Sequence, residues 1–98
     1  MSLPVIVRPE AEADVQQVFA ELEGVLAGTE RRFLVRLQEV FERIEAMPQL
    51  HGIVWRDVRA ARLKQFRYVV YFVPYSDRVE VLAVLHSARD PSIWQSRT

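Results

Sequence analysis

Apolar positions in the first half of the chain recur with the period of an α-helix. After a short β-branched run at residues 3–8, which predicts a strand, apolar side chains stand three and four positions apart in two successive groups. The two groups predict two amphipathic helices. The first group is Val15, Val18, Phe19, Leu22, Val25 and Leu26, and the second is Phe33, Leu37, Val40, Phe41, Ile44 and Met47.

Residues that start and stop helices separate the two groups. Pro9 and the acidic residues that follow it favour a helix start, because proline fits the first turn and carboxylates stabilise the positive helix end. We expect Gly28 to end the first helix, Thr29 to cap the second and Pro48 to stop it. So short a connection predicts an antiparallel helical hairpin.

After Pro48 the pattern changes to that of strands. Runs of β-branched and aromatic residues predict strands at residues 53–55, 61–66, 67–75 and 78–87. Alternation in the second of these would place Arg62, Lys64 and Phe66 on one face and Leu63 on the other. Ser76-Asp77 predicts a hairpin turn. Residues 92–97 could form one helical turn or a tail.

The order of these elements predicts an α+β fold. An N-terminal strand and an α-helical hairpin precede a three- to four-stranded antiparallel sheet, with the helices packed on one face. The continuous apolar runs at 69–73 and 81–85 predict central strands that are covered on at least part of both faces. A chain of 98 residues has the size of one domain, and we expect a single domain over 1–98.

The net charge of zero hides two halves of opposite charge. Residues 1–50 hold 5 Arg and 9 acidic residues, a net −4, whereas residues 51–98 hold 7 Arg, 1 Lys and 4 acidic residues, a net +4. The basic residues of the second half predict a surface that binds an anion or an anionic target. The alternative is that they form the solvated face of an edge strand. The candidate residues are Arg59, Arg62, Lys64, Arg67 and Arg89.

Several classes of site are not predicted. Without cysteine there is no disulfide or thiolate site, and two separated histidines with scattered carboxylates form no ligand set, so we expect no metal and no cofactor. No apolar run approaches the ~20 residues of a membrane helix. The start at Met1–Pro4 lacks the pattern of a signal peptide, and we expect a cytoplasmic protein.

Three stretches together resemble the bacterial RelE/ParE toxin superfamily, nearer to its ParE-like plasmid-stabilisation branch. They are residues 5–15 (VIVRPEAEADV), 59–72 (RAARLKQFRYVVYF) and 84–94 (VLHSARDPSIW). The ending is the most specific part, with His86, Arg89, Asp90, Pro91 and Trp94. The resemblance implies the toxin of a type II toxin–antitoxin module. The same resemblance implies a cognate antitoxin that covers an exposed sheet edge or the groove of the helical hairpin at 10–47.

Three functions stay open at this stage. ParE-like members are associated with blocking DNA gyrase by binding, and RelE-like members cleave messenger RNA in the ribosome; a non-toxic protein that only binds a partner is the third. As a metal-independent nuclease, the chain would use Arg67 to stabilise the charged phosphorane and His86 as acid or base. The resemblance to the RelE branch implies a catalytic tyrosine or similar residue near the C-terminus and a lysine-rich chain. This sequence has no tyrosine after Tyr75 and a single lysine, and these departures favour the binding toxin.

The ending also has plainer explanations. His86 could be a hydrogen-bonded structural residue, Arg89 and Asp90 a local ion pair that sets the turn, and Trp94 a lid on the core. The sequence leaves a homodimer open.

Overall fold

The computed structural model describes residues 2–98. Met1, the first residue of the segment that lacks a signal-peptide pattern, lies outside the described residues. The fold is α+β, with the expected order of strand, two helices and antiparallel strands. None of the described helices has the length and apolar character needed to cross a membrane. The elements are β1 Val5–Val7, α1 Pro9–Glu23, α2 Thr29–Ala46, a 3-10 turn Pro48–Leu50, β2 Ile53–Trp55, β3 Val58–Arg62, β4 Tyr68–Pro74, β5 Val79–His86 and α3 Ser92–Gln95.

The sheet has five strands in the order β1-β5-β4-β3-β2. Strands β2 to β5 form the expected antiparallel sheet, and β1 adds a fifth strand that pairs with β5 in parallel. This pairing runs only from Val5 opposite Val79 to Val7 opposite Val81. Within residues 2–98, therefore, one side of β5 has no neighbouring strand beyond Val81.

One face of the sheet is covered by the helical hairpin. Phe33 of α2 is fully buried there, and its ring meets the rings of Phe66 and Tyr68 edge-on, with centroids 6.1 and 5.5 Å apart. This helix face forms the larger hydrophobic core, and burial of this much apolar surface is the main term that stabilises a small domain. Its buried side chains include Phe33, Val40, Ile44, Val70, Phe72 and Val84.

The opposite face, called the open face below, has a smaller core at one end. Trp94 of α3 packs there with Trp55 and Tyr71 over the apolar side chains of Val58 and Leu85. Both faces of the central strands are thus covered at least in part, as the apolar runs predicted. The covering on the open face stops at α3, which has only four residues.

The end of the first helix was predicted wrongly. Helix α1 ends at Glu23, and Val25 and Leu26 are 70% and 65% exposed in the loop that follows. Gly28, not Thr29, occupies the cap position of α2, with φ of 85°, a left-handed conformation that glycine adopts without strain. The Thr29 hydroxyl instead accepts a hydrogen bond from Arg32 Nη2 at 3.1 Å.

The predicted strand at 61–66 was also wrong. Strand β3 ends at Arg62, and residues 64–67 form a turn in which Gln65 has φ of 68°. Leu63 and Phe66 both pack into the core of the helix face, which strict alternation would not allow. Burial of these two side chains therefore overrides the strand pattern, and Lys64 shares no strand face with Arg62.

Candidate functional site

A groove of about 350 Å³ lies on the open face beside α3. In the β3–β4 register, Arg62 is opposite Val69 and Ala60 is opposite Tyr71, so these four side chains share one face. The segment after β5 closes one side of the groove, and β2 closes the other. The lining residues are Gly52, Ile53, Val54, Ala60, Arg62, Val69, Tyr71, Ser87, Arg89, Pro91 and Trp94.

An aromatic stack forms one wall of this groove. The rings of Tyr71 and Trp94 are stacked, with centroids 4.5 Å apart and 13° between their planes, and Trp55 meets Trp94 edge-on. Trp94 is only 5% exposed, so it closes the core and leaves Tyr71 to face the groove. Burial raises the pKa of the Tyr71 phenol, although the Trp94 and Arg62 side chains act in the opposite direction. The phenol is therefore neutral at neutral pH.

Arg62 and Arg89 bring positive charge to the groove. Both residues are exposed, and within residues 2–98 neither guanidinium takes part in an ion pair. A guanidinium presents a planar fork of donors that fits a carboxylate or a phosphate. The groove therefore combines free cationic donors with an aromatic wall and the exposed apolar side chains of Ile53 and Val54.

The other predicted basic residues lie elsewhere. Arg59 is opposite Phe72, on the helix face, and its Nη1 donates to the His51 carbonyl at 2.7 Å, which fixes the loop before β2. Lys64 and Arg67 are exposed in the turn between β3 and β4. Of the five candidate cations, the structure brings only Arg62 and Arg89 together in the groove.

His86 is separated from the groove by the sheet. Its ring meets Tyr68 of the helix face edge-on at 5.6 Å, and its Nδ1 accepts a hydrogen bond from the Ala88 amide at 3.0 Å. It lines a second pocket, of about 280 Å³, together with Gln17 and Glu21 of α1 and with Arg89, which lines both pockets. Arg67 lines neither pocket, although its carbonyl accepts a hydrogen bond from the amide of Ser87, the residue after His86, at 2.8 Å.

The residues before α3 determine where Trp94 lies. The expected Arg89–Asp90 ion pair is absent from residues 2–98; instead Asp90 Oδ1 accepts a hydrogen bond from the Ser92 amide at 2.9 Å. Hydrogen bonding from Ser92 holds the pKa of the Asp90 carboxyl below its usual range. Asp90 and Pro91 thus begin the short helix that carries Trp94 to the stack.

Comparison with known proteins agrees with this arrangement. The family described as "ParE toxin of type II toxin-antitoxin system, parDE" matches residues 5–91. The chain belongs to the ParE toxin family. The ParE match covers all three stretches that carried the resemblance except for the last residues of the ending, among them Trp94.

A solved ParE-type structure shows the same fold. A chain titled "Chromosomal ParDE TA system from P. aeruginosa" is 16% identical, covers 87% of this chain and 96% of its own length, and superposes with a TM-score of 0.63. No curated protein sequence matches this chain. The identity is low, so this comparison supports the fold of the ParE family member and not its residue roles.

Two features of this ParE-family chain were missed by the sequence patterns. Tyr71 was counted only as a strand former, although alternation with Val69 already places it on the face of Arg62. Arg97 was assigned only to a helical turn or a tail, yet its guanidinium pairs with Asp14 of α1 at 2.6 Å. Nothing local in the sequence indicates a pair whose members lie 83 positions apart.

Proposed function

We propose that this chain is the toxin of a type II toxin–antitoxin module that inhibits an essential target, DNA gyrase in the first instance, by binding it. The groove with Arg62 and Arg89 is the proposed target-binding surface. The observation that carries the proposal is the pair of exposed guanidinium groups without ion-pair partners within residues 2–98, beside the Tyr71–Trp94 stack.

The composition of the groove favours a protein partner. Arginine and tyrosine are enriched among the residues that contribute most to protein interfaces, because each combines apolar area with a polar tip. Ile53 and Val54 are 59% and 50% exposed beside the two arginines, and they add an apolar area that a target protein can cover. Carboxylates on the target would meet Arg62 and Arg89.

The geometry supports binding over RNA cleavage. A metal-independent nuclease needs an acid or base that titrates near neutral pH within reach of the phosphate. The raised pKa of Tyr71 makes it a poor general base, and His86 lies on the other face with Nδ1 engaged by Ala88. Arg62 can therefore hold an anion without such a group beside it, whereas Arg89 also lines the pocket of His86.

Inhibition of supercoiling by purified gyrase tests this proposal. We expect inhibition when toxin and gyrase are present in equal amounts, and its loss in the double variant Arg62→Glu/Arg89→Glu. Arg31→Glu, which reverses the charge of an exposed arginine on α2, is the matched control and retains inhibition. No inhibition by the unsubstituted chain would contradict gyrase as the target, and equal inhibition by the double variant would place the contact outside the groove.

Cell-free translation tests the nuclease alternative. Messenger RNA is expected to remain intact when the toxin is added. Cuts that depend on the toxin and disappear in Arg67→Ala or His86→Ala would overturn the binding mechanism. Growth that is unaffected by expression without an antitoxin would favour the third function, a non-toxic binding protein.

We also propose a cognate antitoxin as the partner, in the bacterial cytoplasm. Support comes from the ParE family itself and from the apolar surface that the helical hairpin leaves uncovered. Val25 and Leu26 in its loop and Val35 on α2 are 57–70% exposed, and Leu34 beside them is 40% exposed. An apolar antitoxin segment would cover these four side chains.

A measurement of antitoxin affinity distinguishes the role of this apolar surface from that of the groove. The variant Leu34→Asp/Val35→Asp is expected to weaken antitoxin binding by about tenfold or more, because it places charge against an apolar segment. The same variant retains gyrase inhibition. Antitoxin affinity equal to that of the unsubstituted chain would show that the antitoxin binds elsewhere.

A further inference from the structure

Arg97 and Asp14 form a partly buried ion pair at the side of β5. Arg97 Nη1 donates to Asp14 Oδ2 at 2.6 Å and to the Leu82 carbonyl at 3.0 Å, and Nη2 donates to Asp14 Oδ1 at 3.3 Å. Asp14 Oδ2 also accepts a hydrogen bond from the Val84 amide at 3.0 Å. The two side chains are only 18% and 10% exposed, so the pair is shielded from solvent.

The ion pair forms hydrogen bonds with the backbone of β5 at positions beyond the end of β1. Strand β1 covers β5 only as far as Val81, where the Arg8 amide donates to the Val81 carbonyl. The next backbone groups that receive partners on β5 are the Leu82 carbonyl and the Val84 amide, and their partners are the side chains of Arg97 and Asp14. A buried backbone group left without a partner here would cost free energy, so the ion pair stabilises β5 by providing partners for two of its backbone groups.

The pair also fixes the segment that carries Trp94. Arg97 lies three residues after Trp94, and its amide donates to the Trp94 carbonyl at 3.1 Å. Its own carbonyl accepts a hydrogen bond from Arg8 Nη1 at 2.7 Å, and Arg8 is held in turn by Glu80 at 2.8 Å. A helix of one turn does not persist by itself in water, so α3 depends on these tertiary contacts.

We propose that Asp14 and Arg97 are positioning residues of the groove: their ion pair anchors residues 92–98 across the side of β5 and so holds Trp94 against Tyr71. Without the anchor, α3 separates from the sheet and the aromatic wall of the groove is lost. The part of this inference that concerns target binding rests on the proposed function, whereas the part that concerns the aromatic stack does not.

The two partners can be changed without removing every hydrogen bond. Asp14→Asn keeps a side-chain oxygen for the Val84 amide but loses the charge that attracts Arg97. Arg97→Gln removes the charge and the donor fork, and Arg97→Lys keeps the charge but cannot reproduce the fork. If the two residues act as one unit, the double variant Asp14→Asn/Arg97→Gln is no worse than either single variant.

Tryptophan quenching by acrylamide and near-ultraviolet circular dichroism report on the stack directly, because both tryptophans, Trp55 and Trp94, lie in it. Far-ultraviolet circular dichroism establishes that each variant is folded. Asp14→Asn and Arg97→Gln are expected to raise quenching, reduce the near-ultraviolet signal and weaken gyrase inhibition by about tenfold, with Arg97→Lys intermediate. Arg36→Gln, which removes the less buried ion pair with Glu39 and the hydrogen bond to Gln65, is the control and changes none of these.

The outcomes distinguish this inference from the proposed function. Unchanged aromatic signals in a folded Arg97→Gln variant would overturn the anchoring role, whatever the gyrase assay shows. Altered aromatic signals with unchanged inhibition would support the anchor and contradict the groove as the target contact. If Arg97→Gln does not fold, Arg97→Lys provides the same comparison, and its unchanged aromatic signals would overturn the inference.

Discussion

The two faces of the sheet differ in what covers them. Two helices of 15 and 18 residues cover the helix face, which holds the larger core. The open face has only α3, four residues long, and two exposed arginines beside it. The comparison indicates a division of roles, in which the helix face supplies most of the stability and the open face supplies the proposed binding surface.

The residue types on each face explain this division. Valine, isoleucine and phenylalanine fill the core of the helix face, and these side chains stabilise the fold by being buried away from water. Tyrosine, tryptophan and arginine occupy the open face, and each pairs an apolar body with a polar end that can stay at the surface. The same sheet can therefore bury most of one side and keep part of the other accessible.

The largest expected effect is on the helix face. Phe33→Ala removes a fully buried ring that contacts Phe66 and Tyr68, and we expect unfolding to require about 3–5 kcal/mol less. Urea unfolding measures this loss. Leu50→Ala at a position 72% exposed is the control, with a change within about 0.5 kcal/mol. If Phe33→Ala lowers the free energy of unfolding as little as the control does, the helix face does not supply most of the stability.

The next largest effect is on the open face, where binding changes and stability does not. Arg62→Glu/Arg89→Glu is expected to lower target affinity by about a hundredfold, because attraction to target carboxylates becomes repulsion. Its free energy of unfolding stays within about 0.5 kcal/mol of the unsubstituted value, since both side chains are exposed.

The salt dependence of inhibition sharpens the same prediction. Inhibition by the unsubstituted chain is expected to weaken as salt concentration rises, because the groove arginines act through charge. An affinity of the unsubstituted chain that does not change with salt would show that these charges are not part of the contact.

A smaller effect is the pH dependence of the helix face. Burial, and then the charges of Arg43 and Arg59, lower the pKa of His51 from 6.5. Folding therefore favours the neutral ring, and the stability present above pH 6.5 is lost as the pH falls through the folded-state pKa. His51→Gln is expected to reduce the fall in unfolding free energy between about pH 7 and pH 5. The same fall in His51→Gln as in the neighbouring control Leu50→Gln would contradict this assignment.

The smallest expected effect is that of Tyr71→Phe. This variant keeps the ring that stacks on Trp94 and removes only the hydroxyl. If the groove only binds its target, the Tyr71→Phe variant retains target affinity within about threefold. If the phenol acts as an acid or base, the same variant loses at least about a hundredfold in reaction rate. Gyrase inhibition measures the first quantity. A loss of the larger size in any toxin-dependent activity would mean that the open face does chemistry.

The periodic patterns predicted the order of elements but not all their limits. Helical spacing and apolar runs identified α2, β4 and β5, because most of their apolar positions are buried. The first helix was extended too far since Val25 and Leu26 continue the apolar spacing while lying exposed. A pattern of apolar residues does not distinguish a side chain that is buried in the core from one that is left for a partner. Nor does it show that a strand of three residues pairs in parallel with the last strand.

The site was predicted only in its residue types. Arg62 and Arg89 were among the basic candidates, but Arg59 belongs to the opposite face and Lys64 to a turn, because Leu63 and Phe66 are drawn into the core. Which cations meet in the groove thus depends on where β3 ends. The Asp14–Arg97 pair has no local signal, since only the completed sheet brings its members together.

The distance along the chain between paired segments has a consequence for synthesis. Val5 pairs with Val79, and Asp14 pairs with Arg97, so strand β1 and helix α1 contact partners that are translated much later than they are. At ribosomal rates of about 5–20 residues per second, the helical hairpin is available for several seconds before the sheet closes. We expect stalled nascent chains to remain sensitive to protease in the sheet until Arg97 has emerged, and earlier protection would contradict this order. A chain built in this way completes its helical hairpin first and the groove beside Trp94 later.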